Sequence, residues 1–265
     1  MEFGFFYDFP IWFIYLLILL INFAALEIGY RLALKQRDKW KDADKGGGNV
    51  VLTSMFALLG LILAFTYAAG VSRHETRKQA VIIEANALGT AYLRSRLVAE
   101  PSRTELRKAL AEYAHTLTFK QGVLLTPTER AEIVRKSQRA QSNLWPIVEK
   151  IVKQGQPGPI EASLVTAIND LLDEHTVRLA AAFDKLPRAV VWMLVLIAAA
   201  SLAVTGFNSG ISGQMGRWRM TAFAAILAGV TYLIVDFDRP NDGLIQISHA
   251  SLKNVIDDIE ADLAH

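Results

Sequence analysis

The sequence predicts an all-α integral membrane protein with four transmembrane helices and a helical-bundle insert between spans two and three. Three observations lead to this prediction. Of the 265 residues, 52% are hydrophobic and 20% are charged, and most of the charge lies between Ser72 and Arg188, with apolar blocks on either side. Four stretches in these blocks approach the ~20 apolar residues that a helix needs to cross a bilayer. In the insert, helix signals are strong and strand signals are nearly absent.

The four apolar stretches divide the chain into four regions. A first transmembrane hairpin covers residues 1–71, and the extramembrane bundle covers 72–188. A second hairpin follows at 189–237, and an acidic tail with an amphipathic helix ends the chain at 238–265. The second stretch carries no charged residue at all. The predicted spans are Pro10–Ile28, Val50–Val71, Ala189–Ser212 and Met220–Val235.

The helix of span two is predicted to leave the membrane and continue to about Leu97, because no glycine or proline interrupts it between Val71 and Leu88. Two capping boxes follow, in which a hydroxyl residue precedes a glutamate by three positions. They are Ser102 with Glu105 and Thr126 with Glu129.

The second capping box opens a helix that we expect to run to about Lys153, with a kink at Pro146. A further helix is expected over 160–185. The tail helix, 251–263, has one apolar face. That face either packs on the insert or offers a surface to a second subunit.

Basic residues in the short loops predict the orientation in the membrane. Six Lys and Arg residues lie between spans one and two, and Arg217 and Arg219 lie between spans three and four. The segment before span one has none. We therefore expect both short loops in the cytoplasm. The N-terminus, the insert and the C-terminus are expected to face outward, into the periplasm, from a bacterial inner membrane.

Composition excludes several classes of protein. With no cysteine, the chain is not a disulfide scaffold, a thiol enzyme or a Cys-type zinc protein. A net charge of +2 is too small to indicate a nucleic-acid partner. The five histidines lack metal-ligand spacing, and no nucleophile elbow, phosphate-binding loop or dinucleotide fingerprint occurs. We predict a protein that is not an enzyme and has no resident cofactor.

Glu84 is the most informative single residue, because its neighbours three and four positions away are alanine, valine and leucine. A carboxylate on such a stripe is buried, and it needs a partner or a raised pKa. It is either a structural ion pair with an arginine of another helix or a gate that contacts ions. Asn86, Thr90 and Arg94 share another face of the same helix. Arg94 there binds an anion or pairs with an acid of the bundle.

Two rows within the spans are candidates for lining a pore. Span three carries a polar stripe, which either forms helix–helix hydrogen bonds or lines a permeation path. Span two carries a row of small residues, which either packs closely on another helix or faces a narrow pore. The polar stripe is Ser201, Thr205, Asn208 and Ser212, and the small row is Thr53, Ala57, Gly60, Ala64 and Ala68. Asn22 in span one is interpreted as an inter-helix hydrogen-bonding residue.

Acidic and amide side chains cluster at the end of span four. They are Asp236, Asp238, Asn241 and Asp242, with Arg239 among them. One interpretation is an interface cluster paired with Arg239. The other is a weak site for calcium or another cation, since hard cations prefer several oxygen ligands.

Two sequence stretches resemble the bacterial bestrophin-like membrane proteins. One is RHETRKQAVIIEANALGTAYLR at Arg73–Arg94, and the other is DFDRPNDG at Asp236–Gly243. The order of two spans, a helical insert and two more spans resembles that family over nearly the whole chain. That family is of unknown function and is named for a distant similarity to bestrophins, which form pentameric, calcium-regulated chloride pores with a cytoplasmic regulatory domain. The resemblance therefore implies a channel.

One copy of the chain has too few spans to enclose a pore around its long second helix. We therefore predict a homo-oligomer of four or more copies in the lipid bilayer, with spans two and three around the axis. The first functional hypothesis is a channel for inorganic ions, with anions favoured by the resemblance and the basic insert. The second is a membrane-anchored interaction or sensing module, whose bundle binds a partner without permeation.

Overall fold

The computed structural model describes residues 9–40, 45–118, 126–154, 158–213, 216–239 and 243–264. Over these residues the chain forms nine α-helices and no strand, which confirms the all-α class. In chain order the helices are α1 (Ile11–Trp40), α2 (Lys45–Ser95), α3 (Ser102–Thr116), α4 (Pro127–Ser142), α5 (Leu144–Gln154), α6 (Pro159–Phe183), α7 (Arg188–Ser212), α8 (Arg217–Phe237) and α9 (Ala250–Leu263).

Four helical segments are long and apolar enough to cross a membrane, as predicted: Ile11–Arg37, Val50–Ser95, Pro159–Ser212 and Arg217–Phe237. Helix α2 has 51 residues, about 76 Å at 1.5 Å per residue. A bilayer core is ~30 Å thick. The helix is therefore much longer than a span, and its end at Ser95 agrees with the predicted continuation.

The chain divides into two compact units. The membrane unit comprises Met1–Ser72, Lys185–Arg239 and Gly243–Ile245. The bundle unit comprises Arg73–Asp184, Pro240–Asp242 and Gln246–His265. Each unit has its own apolar core.

Helices α1 and α7 of the membrane unit pack at backbone-to-backbone distance. A Cβ added to Gly206 would lie 2.0 Å from the carbonyl oxygen of Leu26, and one added to Gly29 would lie 2.0 Å from that of Ala203. Only glycine permits this approach. In a membrane, where close packing rather than water exclusion joins helices, such contacts hold the pair together.

The core of the bundle unit is built from the bundle part of α2 and from α3, α5, α6 and α9. Helix α9 contributes Leu252, Ile256 and Ile259, each less than 10% exposed. Of the two interpretations of the tail helix, packing on the insert is the one present in a single copy.

The capping box predicted at Ser102 is wrong, whereas the one at Thr126 is confirmed. Helix α3 begins after Pro101 without a side-chain cap, and Glu100 accepts hydrogen bonds from the Thr104 N–H and hydroxyl at 3.2 and 2.9 Å. At α4, the Thr126 N–H donates to Glu129 at 2.8 Å and the Glu129 N–H donates back to the threonine hydroxyl at 3.2 Å.

The interruption predicted at Pro146 is present three residues earlier, as a break at Asn143 that separates two helices. Helix α4 ends at Ser142, and Asn143 caps it by donating its N–H to carbonyls of the last turn. Pro146 lies in the first turn of α5, where a missing N–H breaks no helical hydrogen bond.

Candidate functional site

A cluster of polar side chains surrounds Glu84 inside the bundle unit. The Glu84 side chain is fully buried. Its Oε1 accepts a hydrogen bond from the Tyr113 hydroxyl of α3 at 2.7 Å and lies 2.8 Å from Nδ1 of His175 on α6. Its Oε2 forms an ion pair with the guanidinium of Arg178, also on α6. The ion pair with an arginine of another helix is thus present.

The surroundings of Glu84 compensate a charge that is costly to bury. Burial, first, and the Glu84 charge, second, raise the pKa of the Tyr113 phenol, so it stays protonated and remains a donor. Arg178 neutralises the carboxylate. Removing one member of such a pair leaves the other charge buried without a partner, which destabilises the fold. The cluster therefore ties α2, α3 and α6 together.

Sequence reasoning did not single out Tyr113, His175 or Arg178 as partners, although a signal for them existed. Tyr113 falls on the apolar stripe of α3, and a buried tyrosine hydroxyl usually requires a partner. His175 continues the stripe of Leu164, Ile168 and Leu171 at helical spacing, and all four side chains are buried. A polar residue at the end of an apolar stripe is a buried polar group that needs a hydrogen bond.

The other polar candidates on α2 do not join this cluster. Asn86 and Thr90 are exposed. Arg94 is half-buried, and its Nη1 donates to the backbone carbonyl of Ser163 at 2.7 Å. Its observed partner is thus a backbone carbonyl of α6, and the anion contact stays a prediction.

The polar stripe of span three is covered unevenly, because Ser201 is buried, Thr205 and Asn208 are half-buried and Ser212 is exposed. Ser201 is fully buried, and its hydroxyl donates to the carbonyl one turn earlier at 2.8 Å. The hydroxyls of Thr205 and Ser212 also donate to carbonyls of their own helix, at 2.7 and 3.1 Å. Nδ2 of Asn208 is buried and has no hydrogen-bond partner within the described part of the chain. The three hydroxyls of the stripe therefore bond within their own helix, and both interpretations of the stripe stay predictions.

The small-residue row of span two lies on an exposed face of α2. Thr53, Ala57, Gly60, Ala64 and Ala68 are all exposed in one copy. A Cβ at Gly60 would meet no atom within 4 Å. The row is therefore an open face of α2, although its side chains are those of a close-packing helix.

The inter-helix hydrogen bond expected of Asn22 is not present among the residues that the structure describes. The Asn22 side chain is fully buried, and neither its amide oxygen nor its nitrogen has a hydrogen-bond partner there. A buried amide without partners costs free energy.

The acidic residues at the end of span four hold the backbone. Both oxygens of the buried Asp236 accept backbone N–H groups, from Leu244 at 2.8 Å and from Ile245 at 2.9 Å. Asp238 accepts the N–H of Leu186 at 2.9 Å. These carboxylates fix the segment after α8 and the entry to α7.

The rest of the suggested cation site is only partly visible. Arg239 donates to the carbonyl of Phe9 at 2.8 Å. Asn241 and Asp242 lie outside the described residues. Within the described ranges, no three His, Cys, Asp or Glu side chains are placed to hold a metal ion.

A second polar network, which the sequence analysis missed, fastens the far end of α9. The Tyr92 hydroxyl donates to Asp262 at 2.9 Å and accepts from Arg107 at 2.9 and 3.0 Å. Arg107 also forms an ion pair with Asp262. The hydrogen bond from Tyr92, together with the charges of Arg107 and Arg96, lowers the pKa of Asp262.

Comparison with known proteins places these features in context. The family profile described as the bestrophin-like domain matches residues 18–252. A crystal structure of a bacterial bestrophin homolog from Klebsiella pneumoniae, determined by Zn-SAD phasing, is similar with a TM-score of 0.67 and 14% identity, over 95% of this chain and 97% of that one. A point variant of that homolog gives a TM-score of 0.66 at 13% identity, over 96% and 98%. A search of curated proteins finds no match.

Proposed function

Because the chain belongs to the bestrophin-like family, we propose that it forms a closed homo-oligomer of four or more copies that conducts ions across a membrane. The characterised members of this family are oligomeric anion channels, so anions are the favoured permeant species. The four candidate spans and the family support a multi-pass membrane location.

The open face of α2 is the observation that carries this proposal. The span in α2 is less buried within one copy than the spans that contain α7 and α8. The face of α2 that carries the small residues is not covered by other helices of the same copy, and a Cβ at Gly60 would meet no atom within 4 Å. Copies arranged with this face toward a common axis would leave a narrow path that the face lines, because small side chains keep the constriction open.

Native mass spectrometry of the detergent-solubilised protein tests the assembly. We expect a ring of four or more copies. A monomer or a dimer would overturn the proposal, because neither encloses a central path.

Ion flux into liposomes tests conduction, with Gly60→Leu as the perturbation. The leucine side chains would narrow a central path in every copy at once, so we expect a fall in flux of about tenfold or more. Gly229→Leu is the matched control, since a Cβ at Gly229 in α8 also meets no atom within 4 Å. Equal flux in the two variants would remove α2 from the path. Absent flux in the unmodified protein would favour the interaction or sensing module.

The proposed orientation rests on the basic short loops. The bundle unit and both termini then face the periplasm. Alkaline phosphatase fused after His265 should be active, since that enzyme works only outside the cytoplasm. If a fluorescent protein that folds only in the cytoplasm is fused at the same position and fluoresces, the C-terminus is cytoplasmic and this orientation is wrong.

A further inference from the structure

Basic side chains from two helices of the membrane unit meet where α7 ends and α8 begins. A Cβ added to Gly213, the residue after α7, would lie 2.7 Å from Nη2 of Arg37 on α1. A Cβ added to Gly216, the N-cap residue of α8, would lie 2.7 Å from both Nε and Nη2 of Arg219. The guanidinium groups of Arg37 and Arg219 therefore lie beside glycines that are only three positions apart in the chain.

Positive charge exceeds negative charge at this end of the unit. Within the described ranges, four exposed basic side chains form no ion pair: Lys35, Arg37, Arg217 and Arg219. Glu27, the only acid of the span in α1, is already paired with Arg31 at 2.7 Å. Residues 35–45 carry five Lys and Arg against three Asp, and residues 213–219 carry two Arg and no acid. The two loops therefore keep an excess of four positive charges, whatever the three Asp contact.

The helices that carry these side chains set their depth in a bilayer. Arg37 and Arg217 are the terminal residues of two candidate membrane spans, Ile11–Arg37 and Arg217–Phe237. The next residue, Trp218, is 76% exposed, and tryptophan at the end of a span lies at the level of the lipid headgroups. The guanidinium groups are therefore at the depth of the lipid phosphates.

An anionic phospholipid matches this surface better than a zwitterionic one. The guanidinium of arginine binds phosphate oxygens through a fork of N–H donors. Basic residues next to a membrane span attract anionic headgroups. A zwitterionic headgroup carries a cation of its own, which the excess of positive charge repels.

We propose that Lys35, Arg37, Arg217 and Arg219, with Trp218 as the interfacial anchor, form a binding surface for the phosphate headgroups of anionic phospholipids. The surface recruits these lipids to the ends of α1 and α8. The proposal requires the membrane location of the chain, but it does not depend on ion conduction, on a closed ring or on which side of the membrane the short loops face.

Lipid retention by the full-length protein in a neutral detergent tests the proposal. The protein is equilibrated with micelles that contain equal amounts of phosphatidylglycerol and phosphatidylcholine with identical acyl chains. It is then separated by gel filtration, and its bound lipid is counted by mass spectrometry. Each basic residue near an anionic surface is worth about fivefold in affinity, so we expect phosphatidylglycerol to exceed phosphatidylcholine by about fivefold or more. Raising NaCl from about 0.05 M to about 0.5 M should reduce this excess, because salt screens exposed charges.

Arg217→Gln combined with Arg219→Gln removes two of the charges, so the excess of phosphatidylglycerol should fall by about fivefold or more. Arg37 stays in place, because its charge also lies beside the carbonyl end of α7, where a cation stabilises a helix. Arg135→Gln combined with Arg139→Gln is the matched control. Both of these arginines are exposed on α4 of the bundle unit, and the same loss of charge there should leave the excess unchanged. Arg217→Gln alone serves if the double variant does not fold.

Equal retention of the two lipids by the unmodified protein would overturn the proposal. So would an equal excess of phosphatidylglycerol in the unmodified protein and the Arg217 variants, because the selectivity would then arise elsewhere. Inorganic phosphate distinguishes a lipid site from a site for free phosphate. At about 10 mM it should displace no more phosphatidylglycerol than NaCl of the same ionic strength. Displacement beyond that level would assign the surface to free phosphate and overturn the lipid proposal.

Discussion

Substituting Gly206 by alanine perturbs a backbone-to-backbone contact between α1 and α7 of the membrane unit. The added methyl carbon would lie 2.0 Å from the carbonyl oxygen of Leu26 and 3.0 Å from the backbone nitrogen of Tyr30. Both neighbours are backbone atoms of α1, so rotation of a side chain cannot relieve the clash. The two helices must separate.

The size of the effect follows from that separation. An ordinary contact begins at 3.4 Å, so the methyl and the carbonyl must move apart by about 1.4 Å. A gap of ~0.5–1 Å already forfeits a quarter to a half of each dispersion contact. Overpacking of a close-packed core costs ~1–3 kcal/mol, and a backbone clash belongs at the upper end. We expect a loss of about 3 kcal/mol, or a fall in Tm of roughly 6–12 °C for a chain of this size.

Thermal unfolding in detergent measures this, with Gly60→Ala as the matched control. A Cβ at Gly60 meets no atom within 4 Å, and alanine favours helix over glycine by up to ~1 kcal/mol. Gly60→Ala should therefore keep or raise the Tm. If Gly206→Ala has the same Tm as the unmodified protein, then α1 and α7 do not pack through this glycine and the reasoning is refuted.

Three further predictions concern the bundle unit. Glu84→Gln should cost about 3 kcal/mol, since it strands the buried Arg178 charge, and adding Arg178→Met should recover much of that loss in denaturant unfolding; additive losses would contradict the pairing. Because the pKa of Asp262 is lowered in the fold, its charged carboxylate stabilises the folded state above the unfolded pKa, and this stability is lost as the pH falls below about 4. The difference in unfolding free energy between the unmodified protein and Asp262→Asn should therefore be constant above about pH 5 and shrink below it. A difference that is independent of pH would argue against the ion pair. Thr126→Ala should cost about 1 kcal/mol by removing an N-cap, with Thr128→Ala as the control in the same unfolding assay.

The fold was predictable where the signal is local. Hydrophobic length identifies the four spans, and the absence of glycine and proline after Val71 carries α2 into the bundle. The capping box at Thr126 formed because both partners lie within one turn. The box at Ser102 did not form, because the helix begins with Ser102 itself and the Glu105 N–H donates to the carbonyl of Pro101 at 3.3 Å.

The candidate site was predictable only in part. The apolar stripe around Glu84 predicted that this carboxylate is buried and that it needs a partner. Which arginine supplies the charge could not be read from the sequence, because Arg178 lies 94 positions away along the chain. The acids at Asp236 and Asp238 looked like cation ligands, yet their described partners are backbone N–H groups from other segments.

The sequence by itself determined the all-α class, the four spans, the long second helix and the buried charge, since each follows from the period and length of residues close in the chain. Only the tertiary structure decided which faces are covered. The polar stripe around Ser201 and the small row around Gly60 have similar spacing, yet Ser201 is buried and every member of the small row is exposed. Helical spacing predicts which residues share a face, and only the positions of the other helices determine whether that face is covered or exposed.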